Sequence, residues 1–154
     1  MKIVVASEHR GFKAKHKILS QLKAMNHEAI DFGPLTQETC DYPDYAAKAA
    51  LAVSKGEVDR AILVGGTGVG MSIVANKFRG VRAALCHDDL SAEISRSHND
   101  ANILCLSADL FSEELAARMI EVWLTTPFAG GRHARRITKI AQCEPPLPEQ
   151  NGLS

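Results

Sequence analysis

Ala61-Ile62-Leu63-Val64-Gly65-Gly66-Thr67-Gly68-Val69-Gly70-Met71-Ser72-Ile73-Val74-Ala75-Asn76 is the stretch that decides the fold. Its first four residues are apolar without alternation, as in a strand covered on both faces. Residues 65–70 then offer nothing larger than valine, and a helical pattern over 71–78 follows. Strand, glycine turn and helix in that order make one βα unit. Outward from it the unit recurs, with further strands predicted over 3–6, 28–31, 82–86 and 103–106. Helices are predicted over 12–25, 45–54, 90–97 and 113–124, the first carrying Leu19, Leu22 and Met25 at helical spacing. Five such units predict an α/β fold: a Rossmann-like, doubly wound, five-stranded parallel sheet in three layers, α/β/α.

The chain of 154 residues is 45% hydrophobic and 23% charged, enough for one core and too short for two domains. Residues 1–143 form the predicted domain, and residues 144–154, with three prolines and little apolar content, read as a flexible tail. Eighteen basic and eighteen acidic side chains cancel, so no overall field draws nucleic acid or an acidic membrane, and the expected partner is a small molecule. Cys40, Cys86, Cys105 and Cys143 lack metal-type pairing. Cys86 and Cys105 fall inside apolar runs, as reduced, buried thiols of a cytoplasmic protein would. The N-terminal apolar run is too short for a signal peptide, and no run approaches the roughly 20 residues of a membrane helix.

In a doubly wound sheet ligands bind beyond the carboxyl ends of the strands, which directs attention to residues 7–11, 33–45, 65–70, 87–89 and 107–109. The glycine loop lacks the Gly-x-Gly-x-x-Gly spacing of a dinucleotide site and the Gly-Lys-Ser/Thr ending of a phosphate-binding Walker loop. It remains a tight turn or an anion hole, whose N–H groups stabilise an oxygen as it becomes negative. Glu8 and His9 end the first strand. They either orient sugar hydroxyls and a phosphate or cap the next helix. Ser95-Arg96-Ser97-His98-Asn99-Asp100 precedes the fifth strand, the wrong end of the sheet within one subunit. There His98 is an ordinary surface residue, unless a second subunit carries it to the glycine loop, where an imidazole suits proton transfer near neutrality. After Gly130-Gly131, a last helix over 132–142 has no strand following it and is expected to pack on another subunit. Its Arg132 and Arg136, four residues apart, form a fork for a phosphate or a solvated basic face.

In their order and spacing these segments resemble the type B ribose-5-phosphate isomerase family, which includes the galactose-6-phosphate isomerase subunits. The resemblance runs from residue 2 to about 141 through Glu8-His9-Arg10-Gly11-Phe12, Asp41-Tyr42-Pro43, Gly66-Thr67-Gly68-Val69-Gly70, Ala75-Asn76-Lys77, Ser95 to Asp100 and Gly130 to Arg136. It implies a homodimer, or a tetramer of two such pairs, with each active site shared across the interface and the C-terminal helix serving dimerisation. It implies interconversion of ribose 5-phosphate and ribulose 5-phosphate through a cis-enediolate, without metal or cofactor, in the non-oxidative pentose phosphate pathway. His98 would open the furanose ring and Thr67 assist proton movement between sugar oxygens. The amides of Gly66, Gly68 and Gly70 would hold the enediolate. Glu8 and Tyr42 would contact the sugar, Asn99 orient it, and His9, Arg132 and Arg136 grip the phosphate.

Three positions depart from the pattern. One branch of the family abstracts the C2 proton with a cysteine where this chain has Gly65, the other with a glutamate where it has Met71, and a phosphate-binding arginine is replaced by Asp109. Cys40 and Cys86 are the thiols nearest the carboxyl ends of strands. Glu8, a methylene longer than the aspartate common at its position, is the other candidate base. These departures leave two further readings: an isomerase of a different four- to six-carbon sugar or sugar phosphate, and a sugar-phosphate-binding protein without turnover.

Overall fold

The computed structural model describes residues 1–146; the remainder of the expected tail, 147–154, lies outside the described residues. The strands are β1 (Lys2–Ser7), β2 (Glu28–Asp31), β3 (Arg60–Gly65), β4 (Ala83–Leu85) and β5 (Ile103–Ser107). The helices are α1 (Phe12–Ala24), α2 (Tyr42–Ser54), α3 (Val69–Ala75), α4 (Asp89–Ser97), α5 (Glu113–Thr125) and α6 (Arg132–Ala141), with a short 3-10 turn at His9–Gly11. All strand pairs are parallel, in the order β2-β1-β3-β5-β4.

Because side chains alternate across a strand, the sheet sorts its residues into two cores. Ile3, Val5, Ile62, Val64, Leu104 and Leu106 face one way, against Ile18 and Leu22 of α1 and Met119, Ile120 and Trp123 of α5. Val4, Ala6, Ala61, Leu63, Ile103 and Cys105 face the other, against α2 and α3. Ala46, Ala49 and Ala50 of α2 are completely buried, and their small side chains let that helix lie close to the sheet.

Several bounds differ from the sequence reading. α2 begins at Tyr42, three residues earlier than predicted, because Pro43 in the first turn gives up no needed N–H and arrives with helical φ already set. α3 begins at Val69 and stops at Ala75. It stops because the Asn76 side chain leaves the helix to pair with the backbone of Ala83, donating to its oxygen and accepting from its nitrogen, both at 2.9 Å. Of α6 only His133 is buried. Beyond it Glu144 accepts the Gly80 N–H at 2.6 Å and pairs with Arg79 at 3.2 Å, which ties the first residues of the expected tail to the α3–β4 turn. No described helix is long and apolar enough to cross a membrane.

Candidate active site

A cavity of about 470 Å³ opens at the carboxyl ends of β1 and β3 and is walled by the segment entering α2. Its floor is the glycine loop, and hydrogen bonds fix which way the loop faces. The Gly65 carbonyl accepts the Ala108 N–H at 2.8 Å, and the Gly66 carbonyl accepts the Ser107 hydroxyl at 2.6 Å and the Asp109 N–H at 3.2 Å. Carbonyl and N–H of a planar trans peptide point in opposite directions, so anchoring these oxygens on the end of β5 turns the N–H groups of Gly66 and Thr67 the other way. Among the described residues no backbone or side-chain acceptor takes up the N–H of Gly66 or Gly68. Gly70, in the first turn of α3, has no intrahelical acceptor for its N–H either.

Two of these glycines are required by their surroundings. Gly68 has φ +79°, and a Cβ there would stand 2.7 Å from Leu85 Cδ1 and 2.9 Å from the Leu106 carbonyl oxygen. A Cβ on Gly70 would stand 2.6 Å from the Tyr42 ring, which lies directly over the loop. Thr67 is exposed, and its hydroxyl accepts the Val69 N–H at 3.3 Å.

Glu8 and His9 enter from β1. Glu8 is only 5% exposed. Its Oε2 lies 2.8 Å from His9 Nδ1, while its Oε1 is buried with no hydrogen-bond partner. The Cys40 backbone nitrogen lies 3.4 Å from the same imidazole nitrogen, joining the α2 approach to the end of β1. Burial, followed by the neighbouring Cys40 and then Asp44, pushes the Tyr45 phenol above its ordinary pKa. Arg10 reaches across the glycine loop to Asp109, Nη2 to Oδ2 at 2.7 Å. The negative charge that stands out at position 109 in the sequence is therefore matched by a guanidinium.

The structure brings Glu8, His9, Tyr42, Gly66, Thr67, Gly68 and Gly70 to one cavity. His98, Asn99, Arg132 and Arg136 do not line it. His98 follows α4 and stacks on His133 of α6, ring centroids 4.1 Å apart and planes within 10°. Burial first, then His98, Arg132 and Arg136, hold the His133 imidazole below its ordinary pKa. One chain therefore carries two groups of candidate residues at opposite ends of its sheet. Of the two candidate thiols, Cys40 lines the cavity, whereas Cys86 is corrected: it is buried among α1, α4 and α5 and does not reach the site. Sequence reading overlooked Lys15, a completely buried lysine whose Nζ donates to both carboxylate oxygens of Asp31, at 2.7 and 2.9 Å, and to the Pro34 carbonyl at 2.6 Å. It fixes the start of the segment that becomes the cavity wall.

A sequence model described as ribose/galactose isomerase matches residues 3–140. The chain belongs to the ribose/galactose isomerase family. Among curated members, ribose-5-phosphate isomerase B of Escherichia coli (strain K12) is 46% identical over 143 residues, which is 93% of this chain and 96% of that protein. A solved structure of ribose-5-phosphate isomerase B from Clostridium thermocellum superposes with a TM-score of 0.91 at 47% identity, covering 92% of this chain and 96% of that one. The Mycoplasma genitalium ribose-5-phosphate isomerase B, solved with bound ribulose 5-phosphate, gives 0.89 at 39% identity, over 92% of this chain and 94% of its own.

Gly65 and Met71, the two positions at which the sequence reading looks for a base, lie against each other. Met71 is 1% exposed, and its Cγ lies 3.2 Å from where a Cβ on Gly65 would stand. The two positions touch, and an uncharged thioether fills the space between them. Neither supplies a proton acceptor to the floor of the cavity.

Proposed function

We propose that the protein interconverts ribose 5-phosphate and ribulose 5-phosphate by moving a proton between C2 and C1 through a cis-enediolate. The observation that carries this reading is the glycine loop with its unpaired N–H groups, turned into the cavity that also holds Glu8 and His9. Donors fixed in place before reaction stabilise an oxygen more as it gains charge than beforehand, which is what proton abstraction beside a carbonyl requires. In this reading the amides of Gly66, Gly68 and Gly70 hold the enediolate oxygens and Thr67 assists the proton exchange between them. Tyr42 and Glu8 contact the sugar, and His9 meets the phosphate.

The same reading makes the enzyme a homodimer, alone or paired into a tetramer, with His98 and Asn99 of each chain completing its partner's cavity and Arg132 and Arg136 gripping the phosphate. Support comes from the separation of the two residue groups within one chain and from exposed apolar side chains beside the edge strand β4. Val69 and Ile73 on α3 and Leu90 and Ile94 on α4 are all more than a third exposed. The buried free thiols Cys86 and Cys105 favour a cytoplasmic setting.

Ketose formation from ribose 5-phosphate, measured beside galactose 6-phosphate and erythrose 4-phosphate, tests the assignment. Turnover with kcat/KM highest for the pentose phosphate is expected. A higher value with another sugar would move the activity to that substrate, and tight binding without turnover of any would make the protein a sugar-phosphate binder.

A further inference from the structure

We propose that Glu8 is the base that takes the proton from C2 of the open-chain aldose and returns it to C1. The assignment rests on the isomerase reading above and deepens it. Ser7 pairs in register with Val64, and the Glu8 N–H donates to the Val64 carbonyl at 3.2 Å. Carried one residue further, that register sets Glu8 opposite Gly65, on the neighbouring strand about 4.8 Å away and on the same face of the sheet. Gly65 projects no side chain of its own, the Met71 side chain packs against it, and Glu8 and Gly65 line the same cavity.

The carboxylate itself is prepared for a ligand. One oxygen lies 2.8 Å from His9 Nδ1, and the other is buried without a partner. A buried oxygen left unpaired is costly, and at a cavity wall the natural partner is a group the ligand brings. The competing groups around the cavity are committed or displaced. Arg10 is a cation paired with Asp109. The Cys40 thiol lies beside the Tyr45 phenol, whose pKa it helps to raise after burial. Asp41 and Asp44 are exposed residues at the mouth, the one immediately before α2 and the other in its first turn.

The step balances without a co-reactant. The Glu8 carboxylate removes the C2 proton, the C2–H electron pair becomes the C1=C2 bond, and the C1 carbonyl oxygen becomes an oxyanion held by the glycine-loop amides. A proton passes from O2 to O1. The electron pair on O2 then forms the C2 carbonyl while C1 takes back the proton carried by Glu8, leaving ketose and an ionised glutamate. His9 stands 2.8 Å from the other oxygen, beside the carboxylate, through both transfers.

Glu8→Gln preserves the shape of the side chain and removes its basicity. Loss of a general base costs about 10²- to 10⁴-fold in kcat, and the expected result is a loss of that size in ketose formation and in deuterium exchange at C2, with binding of ribose 5-phosphate changed by less than about fivefold. Exchange and turnover within about threefold of the unaltered protein would overturn the assignment. A second measurement needs no variant: treatment of the unaltered enzyme with glycidyl phosphate, an epoxide that alkylates a carboxylate poised beside a bound phosphate ester. Peptide mass spectrometry is expected to find an ester on Glu8, blocked by ribose 5-phosphate; label confined to Cys40 or another residue would overturn it. If the unaltered protein neither exchanges nor isomerises ribose 5-phosphate, the functional reading fails. If it does both and Glu8→Gln does too, only the assignment of the base fails.

Discussion

Gly68→Ala would separate the backbone contribution to catalysis from every side chain. The φ of +79° costs an alanine about 1–2 kcal/mol. The added Cβ would also stand 2.7 Å from Leu85 Cδ1, which can rotate away, and 2.9 Å from the Leu106 carbonyl oxygen, which cannot because it belongs to β5. Overpacking of this kind costs about 1–3 kcal/mol. The two together destabilise by about 2–5 kcal/mol, a fall in thermal midpoint of roughly 5–15 °C for a domain of this size. The loop relieves the contact by moving off β5, and a displacement near 1 Å at a catalytic donor costs about 10²-fold in rate. The assay is kcat with ribose 5-phosphate beside a thermal melt. Gly56→Ala is the control, with φ +70° and nothing within 4 Å of the new Cβ, so it carries the backbone strain alone, about 1 kcal/mol, and leaves kcat unchanged. A Gly68→Ala protein matching the Gly56→Ala protein in both readouts would refute the argument that the close packing of this loop on β5 positions the donors.

Lys15→Met fills the same volume without the charge and leaves Asp31 and the Pro34 carbonyl short of a donor. Breaking one side of a buried pair costs about 3–5 kcal/mol, and because Asp31 is partly exposed a loss of about 3 kcal/mol in urea unfolding is expected; an unchanged midpoint would contradict it. His133 has a folded pKa below the ordinary 6.5, through burial and then its cationic neighbours. The unfolded chain binds that proton more readily, so the His133 contribution to stability is complete above pH 6.5 and is lost as pH falls toward the lowered folded value. His133→Phe keeps a flat ring against His98 and does not titrate, so its stability declines less steeply on acidification below pH 6.5; parallel curves would show that His133 is not the group responsible. Shared active sites predict complementation: His98→Ala and Thr67→Ala proteins, each inactive, regain about a quarter of full activity when unfolded together and reassembled, since half the dimers are mixed and each mixed dimer has one intact site. No recovery would place each complete site within one chain.

Legibility followed the range of the interactions. The βα repeat, the parallel sheet and the glycine loop were readable because each is written in contiguous residues, and β2 has the bounds the sequence suggests. The insertion of β5 between β3 and β4 was not, since strand order depends on packing between distant segments. Lys15 was readable in principle: it precedes Ile18, Leu19 and Leu22 at helical spacing, on the face that α1 buries. A lysine there signals a buried partner, although nothing local identifies that partner as Asp31. The Arg10–Asp109 pair left no such trace, and Asp109 taken alone suggested a repulsive charge that the fold neutralises. The end of α3 was misread because Asn76, compatible with a helix by local pattern, is instead claimed by the backbone of Ala83.

Gly65 and Met71 offer no proton acceptor at the cavity floor, so proton transfer at C2 is the step that most needs measuring. Incubation of the unaltered protein with ribose 5-phosphate in D₂O, followed by NMR of both sugars, tests it most directly. The account predicts ribulose 5-phosphate together with deuterium at C2 of recovered ribose 5-phosphate. An unlabelled aldose and no ketose, with the sugar demonstrably bound, would contradict it.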